Sequence, residues 1–227
     1  MSGDGNGDRN PAEVRSLPGE VWSLIAGTVR HPVETYEGIA RGEGAVPRPE
    51  AGLAFVGLLA TAGGLWTALA PSRLGGGLVP ASAAFLVVAL AMVFGVYLAA
   101  STVIWLVMHI LGGRGCFGAV LTAWAASYVP TAVWFGGLLL AHVVFAPGSP
   151  FKAAASGGSG YLAFQIVFLV FSIAVFLWKA LLLYLTLRVV GGLDFRRIVA
   201  AALILAPVAL GYWALGLHFG WFKVPAI

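Results

Sequence analysis

The feature that most constrains the fold is the near absence of acidic residues after the first fifty positions. Asp194 is the only aspartate or glutamate between Ala51 and Ile227, whereas the first fifty residues hold the other eight. Across the whole chain 10% of the residues are charged and 60% are hydrophobic, against about 25% charged in an average soluble domain. A chain of this kind cannot cover itself with charged side chains in water, which predicts an integral membrane protein.

Five apolar runs are long enough to cross a bilayer, whose hydrocarbon core takes roughly 20 helical residues. Lipid offers the backbone no hydrogen-bond partner, so each run has to form a helix. We therefore predict an all-α, polytopic membrane protein with a five-helix transmembrane domain at residues 51–217. The predicted spans are residues 51–70, 80–111, 117–145, 161–190 and 195–217.

The segment before the first span has a different composition. Residues 1–12 are rich in Gly, Asp and Asn and are expected to be disordered. Residues 13–50 carry apolar residues at helical spacing on both sides of Pro32, which predicts two short amphipathic helices. We expect this N-terminal arm to lie in the cytoplasm, against the membrane surface or the ends of the spans. Residues 218–227 are expected to form a short aromatic tail on the external side.

The distribution of Lys and Arg predicts the orientation of the chain. When the connecting segments are assigned alternately to two sides, the side of the N-terminus holds nine basic residues and the opposite side three. The positive-inside rule then places the N-terminus in the cytoplasm and the C-terminus outside. The expected location is the bacterial cytoplasmic (inner) membrane, with the C-terminus in the periplasm.

Two short turns in the predicted cytoplasmic loops resemble each other. Gly112-Gly113 and Gly191-Gly192 each follow an apolar residue, and each is followed by a short polar turn, a Phe and a new apolar helix. Spans 2 and 3 and spans 4 and 5 are therefore candidates for two duplicated helical hairpins related by an axis along the membrane normal. Repeats of this sort occur in transporters, with sites at the repeat interface, and duplication also builds passive bundles.

Lys179 lies inside the fourth predicted span, where a lysine is costly and marks a candidate functional site. No predicted span contains an acidic residue to pair with it, which argues against a proton or cation relay. Two interpretations stay open. The side chain extends to the cytoplasmic headgroups and contacts a lipid phosphate, or it lines a pocket for a substrate or a lipid headgroup.

The other candidate contact residues are predicted to lie on the cytoplasmic side, where they would meet a partner or lipid. They are Trp22, Arg114, Arg196 and Arg197. No catalytic residue is predicted, because the sequence has no phosphate-binding loop, no Ser/His/Asp order and no paired carboxylates. With a single cysteine, Cys116, and with His109 and His142 near the ends of the second and third spans but on opposite sides of the membrane, no metal site or cofactor is predicted either.

Short motifs recur around the ends and middles of the predicted helices. Pro32 follows Trp22 in the N-terminal arm, the third span contains Tyr128-Val129-Pro130, and the fourth contains Trp178-Lys179. Together with the two Gly-Gly turns, this layout resembles the Ypt-interacting-protein (Yip) domain family over about Leu17 to Leu217. The resemblance implies a five-span bundle with a cytoplasmic N-terminus. Eukaryotic members are associated with Rab-type GTPases and vesicle traffic, but the N-terminal arm shows no recognisable partner motif that would carry that role over.

We therefore predict a non-enzymatic membrane scaffold or partner-binding protein that docks through its cytoplasmic arm and the arginine-containing turns. A close variant is an accessory subunit of a larger respiratory, photosynthetic or secretory complex. The alternative is a small-solute or lipid transporter with Lys179 at the interface of the two hairpins. Membrane lipids and other membrane-protein subunits are the expected partners. Neither nucleic acid nor a small-molecule substrate is expected, and the basic residues form no stripe with interleaved aromatics.

Overall fold

The computed structural model describes residues 16–42, 48–69, 83–144 and 159–219, and the regular secondary structure in these ranges is helical. A π-helical turn, Thr186–Val190, directly follows the helix that ends at Leu185. The predicted disordered N-terminus (1–12) and nearly all of the predicted external tail (218–227) lie outside these ranges. The helices are α1 (Leu17–Arg30), α2 (Pro32–Arg41), α3 (Pro49–Leu69), α4 (Ala83–Ile110), α5 (Phe117–Ala126), α6 (Val129–Val144), α7 (Ser159–Leu185) and α8 (Phe195–Phe219).

Four stretches of the described chain are long and apolar enough to cross a membrane. They are Leu90–Ile110, Phe117–Leu140, Ile166–Val190 and Phe195–Tyr212. The prediction of an all-α, multi-pass membrane protein is therefore confirmed. The first predicted span forms α3, whose apolar part Pro49–Gly63 is shorter than these four, so a fifth span stays a prediction.

Two short helices, α1 and α2, precede the first apolar helix and are separated only by His31. Pro18 and Pro32 lie in the first turns of α1 and α2. Backbone N–H groups of a first turn have no acceptor within the helix, so a proline there removes no helical hydrogen bond. The backbone N–H of Arg48 donates a hydrogen bond to Glu20 Oε2 at 3.3 Å, which ties α1 to the start of α3. α1 packs against α3, and α2 packs against the π-helical turn.

α5 lies at the centre of the bundle, and six of its ten residues are buried. The buried hydroxyl of Tyr36 in α2 donates to the carbonyl oxygen of Ala123 at 3.0 Å. The buried hydroxyl of Tyr97 in α4 donates to the carbonyl oxygen of Leu121 at 2.6 Å. Burial raises the pKa of Tyr36 above its ordinary value, so this hydroxyl stays a donor at neutral pH. The two bonds join α2 and α4 to α5 and satisfy groups that would be costly to bury alone.

The third apolar run, predicted as one helix, consists of α5 and α6 with a turn at Ser127 and Tyr128. The hydroxyl of Ser127 donates to the carbonyl oxygen of Trp124 at 2.6 Å. Pro130 lies in the first turn of α6, where its missing N–H is tolerated. Hydropathy is the same on both sides of this interruption, so the apolar pattern alone did not reveal it.

The two Gly-Gly turns pack against each other at one end of the bundle. Gly112 has a φ of +81° and Gly192 a φ of +63°, in the left-handed region that glycine enters most easily. The backbone N–H of Arg114 donates to the carbonyl oxygen of Gly191 at 3.2 Å. A Cβ on Gly113 would lie 2.9 Å from that same oxygen, so this approach depends on glycine. The duplication of the two hairpins themselves stays a prediction.

Candidate functional site

Lys179 lies on α7, near the middle of the candidate span Ile166–Val190. Its side chain is partly buried, and Nζ donates a hydrogen bond to Thr131 Oγ1 on α6 at 3.2 Å. The ammonium group is therefore held against a neighbouring helix within the span. This placement favours the pocket interpretation of Lys179 over extension of its side chain to the headgroups.

Two aromatic rings at the junction of α5 and α6 flank the ammonium group of Lys179. Nζ lies 4.7 Å from the centroid of the Tyr128 ring and 5.7 Å from that of the Trp124 ring. The two rings meet edge to face, with centroids 6.0 Å apart. Cation–π contacts of this kind contribute about 0.5–2 kcal/mol each. They reduce the cost of the cation without neutralising its charge.

Within the described ranges no carboxylate forms an ion pair with Lys179. Asp194 lies beyond the π-helical turn, and its Oδ1 accepts a hydrogen bond from the backbone N–H of Arg197 at 2.9 Å, so it caps the start of α8. An ammonium group has three N–H donors, and Thr131 accepts one of them. Lys179 is thus a cation near the middle of a candidate span that keeps donors for a further acceptor.

Lys179 lines a cavity of about 490 Å³ between α4, the α5–α6 junction, α7 and α8. Small-molecule sites in proteins typically measure about 300–1,000 Å³ and have mostly apolar walls. Valine, alanine, leucine and isoleucine form most of this wall. Its polar and aromatic members are Trp124, Tyr128, Thr131, Trp134, Lys179 and Tyr212. The cavity lies between the two predicted hairpins, which is where the transport alternative required a site.

The two tryptophans of the wall differ in their hydrogen bonding. Trp134 Nε1 donates to Ser172 Oγ at 3.1 Å. Trp124 Nε1 is buried, and no acceptor in the described part of the chain reaches it with hydrogen-bond geometry, the neighbouring Tyr128 hydroxyl included. A buried donor without an acceptor is destabilising and unusual in a folded protein. The wall of the cavity therefore includes a residue, Trp124, whose buried N–H has no acceptor in the described chain.

The cavity reaches the lateral surface of the bundle between α4 and α8. Ala99 on α4 and Val208 and Ala209 on α8 line the cavity and are also exposed, which points to an opening between these two helices. Both helices contain candidate membrane spans, Leu90–Ile110 and Phe195–Tyr212. The lateral mouth of the cavity therefore faces the region that lipid would occupy.

The other predicted contact residues are exposed and do not line the cavity. They are Trp22, Arg114, Arg196 and Arg197. The structure does bring Arg197 of the second turn onto the first turn, because its Nη1 lies 3.0 Å from the position of a Cβ on Gly112. Trp22 lies on α1 and is 69% exposed. Of the five predicted contact residues, Lys179 lines the cavity and the other four lie on the surface.

Sequence reasoning did not assign Trp124, Tyr128, Thr131 or Tyr212 to a site. A usable signal was present, because positions 124, 128 and 131 are spaced by four and three residues and would share one face of the single helix predicted there. Nothing in one sequence says that this face meets Lys179, which is 48 residues from Thr131 along the chain. No group of three or more His, Cys, Asp or Glu residues that could hold a metal ion occurs in the described ranges.

A family model for the Yip1 domain matches residues 26–218 of the chain. The match begins within α1, ends within α8 and includes every residue that lines the cavity. Neither a curated protein nor a solved structure matches the chain. The family match covers most of the sequence and confirms the resemblance that its motifs indicated. The chain belongs to the Yip1-domain family.

Proposed function

We propose that this protein is a non-enzymatic membrane protein that binds a lipid-type ligand in the cavity around Lys179. The supporting observation is the position of Lys179, a cation near mid-span that lines a mostly apolar cavity. No carboxylate in the described ranges pairs with it. A ligand with an apolar body and a negatively charged or hydrogen-bond-accepting head would complement both parts of this wall.

The energetic case rests on the cost of a lysine in the membrane. Insertion scales put that cost at roughly 2.5–3.5 kcal/mol at the centre of a span. The hydroxyl of Thr131 and the two aromatic rings offset part of it. A hydrogen bond between a charged group and its partner contributes about 1.5–3 kcal/mol, so one anionic ligand group is enough to balance the remainder.

The ligand would enter from the bilayer in the topology that we propose. In that topology α3 is the first of five spans, and α1, α2 and the two Gly-Gly turns lie on the cytoplasmic side of a bacterial inner membrane. The excess of basic residues on that side supports this orientation. Movement of the ligand across the membrane, the transporter alternative, would be a further step that requires binding at this cavity first.

Mass spectrometry of the lipids that co-purify with the protein tests this proposal. The full chain would be extracted from its own membrane in a mild detergent, together with the variants Lys179→Met and Arg30→Met. Arg30 is an exposed residue of α1 outside the cavity, so its variant controls for the loss of a positive charge. We expect the wild type and Arg30→Met to retain a tightly bound lipid and Lys179→Met to lose most of it. Equal lipid content in three folded proteins would contradict the proposal.

The outer surface of α1 and α2 favours a second function, the docking of a partner subunit. Leu17, Trp22, Val29 and Val33 are large apolar residues that are each about half exposed or more. The opposite side of α1 is already packed against α3. An accessory subunit of a respiratory, photosynthetic or secretory complex would use such a surface, with Arg114, Arg196 and Arg197 as additional contacts.

Native gel electrophoresis of solubilised membranes tests the docking function. Trp22→Ala removes the most exposed aromatic of this surface, whereas Phe176→Ala removes an aromatic of similar exposure, 71%, from the candidate span on α7. If the surface binds a subunit, Trp22→Ala shifts the protein to a smaller particle and Phe176→Ala does not. A wild-type particle that contains only this protein and lipid would contradict a scaffold role.

A further inference from the structure

We infer that the ligand of the cavity is a long-chain fatty acid, held by its carboxylate between Lys179 Nζ and Trp124 Nε1, with its chain leaving through the mouth between α4 and α8. This inference rests on the proposed function, since it names the class of ligand for the same cavity. It adds three requirements: a negatively charged head, two acceptor oxygens and a single chain.

Two donors without a full set of acceptors define the head of the ligand, and the buried N–H of Trp124 has to turn toward the cavity for the ligand to reach it. Lys179 Nζ has one acceptor in the described chain, Thr131 Oγ1, and Trp124 Nε1 has none. Both residues line the cavity, and Nζ lies 5.7 Å from the centroid of the Trp124 ring. A carboxylate carries two oxygens and one negative charge, so it can accept from both donors and neutralise the cation. An alcohol or an ester brings no charge, and it would leave Lys179 uncompensated.

The composition of the wall argues against a phosphate head. Phosphate groups in proteins are bound by Arg side chains, by several backbone N–H groups or by helix N-termini. Among the described residues that line this cavity Lys179 is the only cation, and apart from Thr131 the rest of the wall is aliphatic or aromatic. One cation matches the single charge of a carboxylate. The exposed arginines Arg114, Arg196 and Arg197, which would suit a phosphate, do not line the cavity.

The mouth of the cavity defines the tail of the ligand. Ala99, Val208 and Ala209 line the cavity and are exposed, which points to an opening between two helices with candidate spans. Two of the three residues are alanines, which leaves room for a chain to pass between α4 and α8. A ligand that enters here would leave its hydrocarbon chain in contact with the surrounding lipid, so no aqueous path to the cavity is needed.

Binding of oleate to the purified, delipidated full-length protein in detergent tests the head of the ligand. Oleyl alcohol has the same chain without the charge, and both ligands would be quantified by native mass spectrometry. We expect the wild type to bind one oleate about 10- to 100-fold more tightly than oleyl alcohol, which corresponds to one charge-assisted hydrogen bond. Equal affinities for oleate and oleyl alcohol would overturn the inference.

A matched pair of variants tests the second donor. Trp124→Phe removes the N–H that has no acceptor, whereas Trp134→Phe removes one that already donates to Ser172. We expect Trp124→Phe to lower the preference for oleate over oleyl alcohol about 10-fold and Trp134→Phe to keep that preference. If both variants keep it, the two-donor carboxylate site is wrong.

The mouth is tested separately with Ala209→Trp, which places a large ring at its edge. Ala202 is exposed on the same helix, two turns away, and does not line the cavity, so Ala202→Trp is the control. We expect Ala209→Trp to weaken oleate binding at least about 10-fold and Ala202→Trp to leave it unchanged. Equal binding by the two folded variants would contradict entry of the chain between α4 and α8.

These outcomes separate the inference from the function on which it rests. If Lys179→Met loses its native lipid while oleate and oleyl alcohol bind alike, the cavity binds a lipid other than a fatty acid, and only the inference fails. If Lys179→Met retains both the native lipid and the preference for oleate, both fail. Lys179→Gln, which keeps a polar group of similar size, serves as a second variant if Lys179→Met does not fold.

Discussion

The centre of the bundle and the cavity beside it differ in how their polar groups are satisfied. Around α5, the hydroxyls of Tyr36 and Tyr97 are buried, and each donates to a backbone carbonyl oxygen at 2.6–3.0 Å. At the cavity, Trp124 Nε1 has no acceptor in the described chain, and Lys179 has Thr131 and two aromatic rings but no anion. The two regions are adjacent, because Trp124 itself belongs to α5.

The difference separates polar groups that stabilise the fold from polar groups that are available to a ligand. A satisfied buried hydrogen bond contributes about 0.5–1.5 kcal/mol to stability, whereas an unsatisfied buried donor costs about 1–3 kcal/mol. Removal of a polar group from the centre should therefore lower stability and leave ligand binding unchanged. Removal of a cavity group that lacks an acceptor or a counter-charge should have the opposite effect, and the substitutions below test this contrast.

The largest loss of stability is expected where the two Gly-Gly turns meet. A Cβ added by Gly113→Ala would lie 2.8 Å from the carbonyl oxygen of Met108 and 2.9 Å from that of Gly191. Because both neighbours are backbone atoms, we expect the variant to lose about 1–3 kcal/mol of unfolding free energy. Gly95→Ala is the control, since a Cβ there meets no described atom within 4 Å. Equal thermal unfolding midpoints for the two variants would show that the turns are not tightly packed.

A smaller loss is expected from Tyr36→Phe. The variant removes the hydrogen bond to the carbonyl oxygen of Ala123 and keeps the buried ring. We expect the unfolding free energy to fall by about 1 kcal/mol, with no change in the lipid that co-purifies with the protein. Thermal unfolding and lipid analysis of the same preparation measure both effects. Loss of the bound lipid would mean that α2 contributes to the cavity and would break the contrast.

The smallest effect on stability is expected within the pair of cavity tryptophans. Trp124→Phe and Trp134→Phe remove the same atoms. The N–H of Trp134 donates a hydrogen bond to Ser172, whereas the N–H of Trp124 has no acceptor in the described chain. We therefore expect Trp134→Phe to be about 1 kcal/mol less stable than Trp124→Phe when both proteins are delipidated. If Trp124→Phe is the less stable of the two, its N–H has an acceptor in the free protein.

Most of the fold was predictable because lipid leaves few alternatives. The near absence of acids after residue 50 and the apolar runs led to an all-α membrane protein, and the family assignment followed from short motifs. The interruption at Ser127 and Tyr128 was not predicted, because it depends on local hydrogen bonds and Pro130 within a run of uniform hydropathy. The packing of Arg114 against Gly191 likewise depends on tertiary contact.

The candidate site was only partly predictable. Lys179 was identified because a lysine in a span is costly whatever surrounds it. Its partners come from α5 and α6, far away in sequence, and their residue types are equally common in ordinary helix packing. The sequence left open whether the side chain reaches the headgroups or a pocket. The contact with Thr131 and the cavity beside it favour the pocket, and they depend on how four helices are arranged.

Thermal unfolding of the wild type and Lys179→Met, each delipidated and then supplied with a lipid extract of the native membrane, tests the ligand site most directly. Without lipid, Lys179→Met should be the more stable protein, because it lacks an uncompensated cation. With lipid, the wild type should become the more stable one, since saturation at 100 times Kd adds about 2.7 kcal/mol. The same order of stability under both conditions would contradict a ligand site at Lys179.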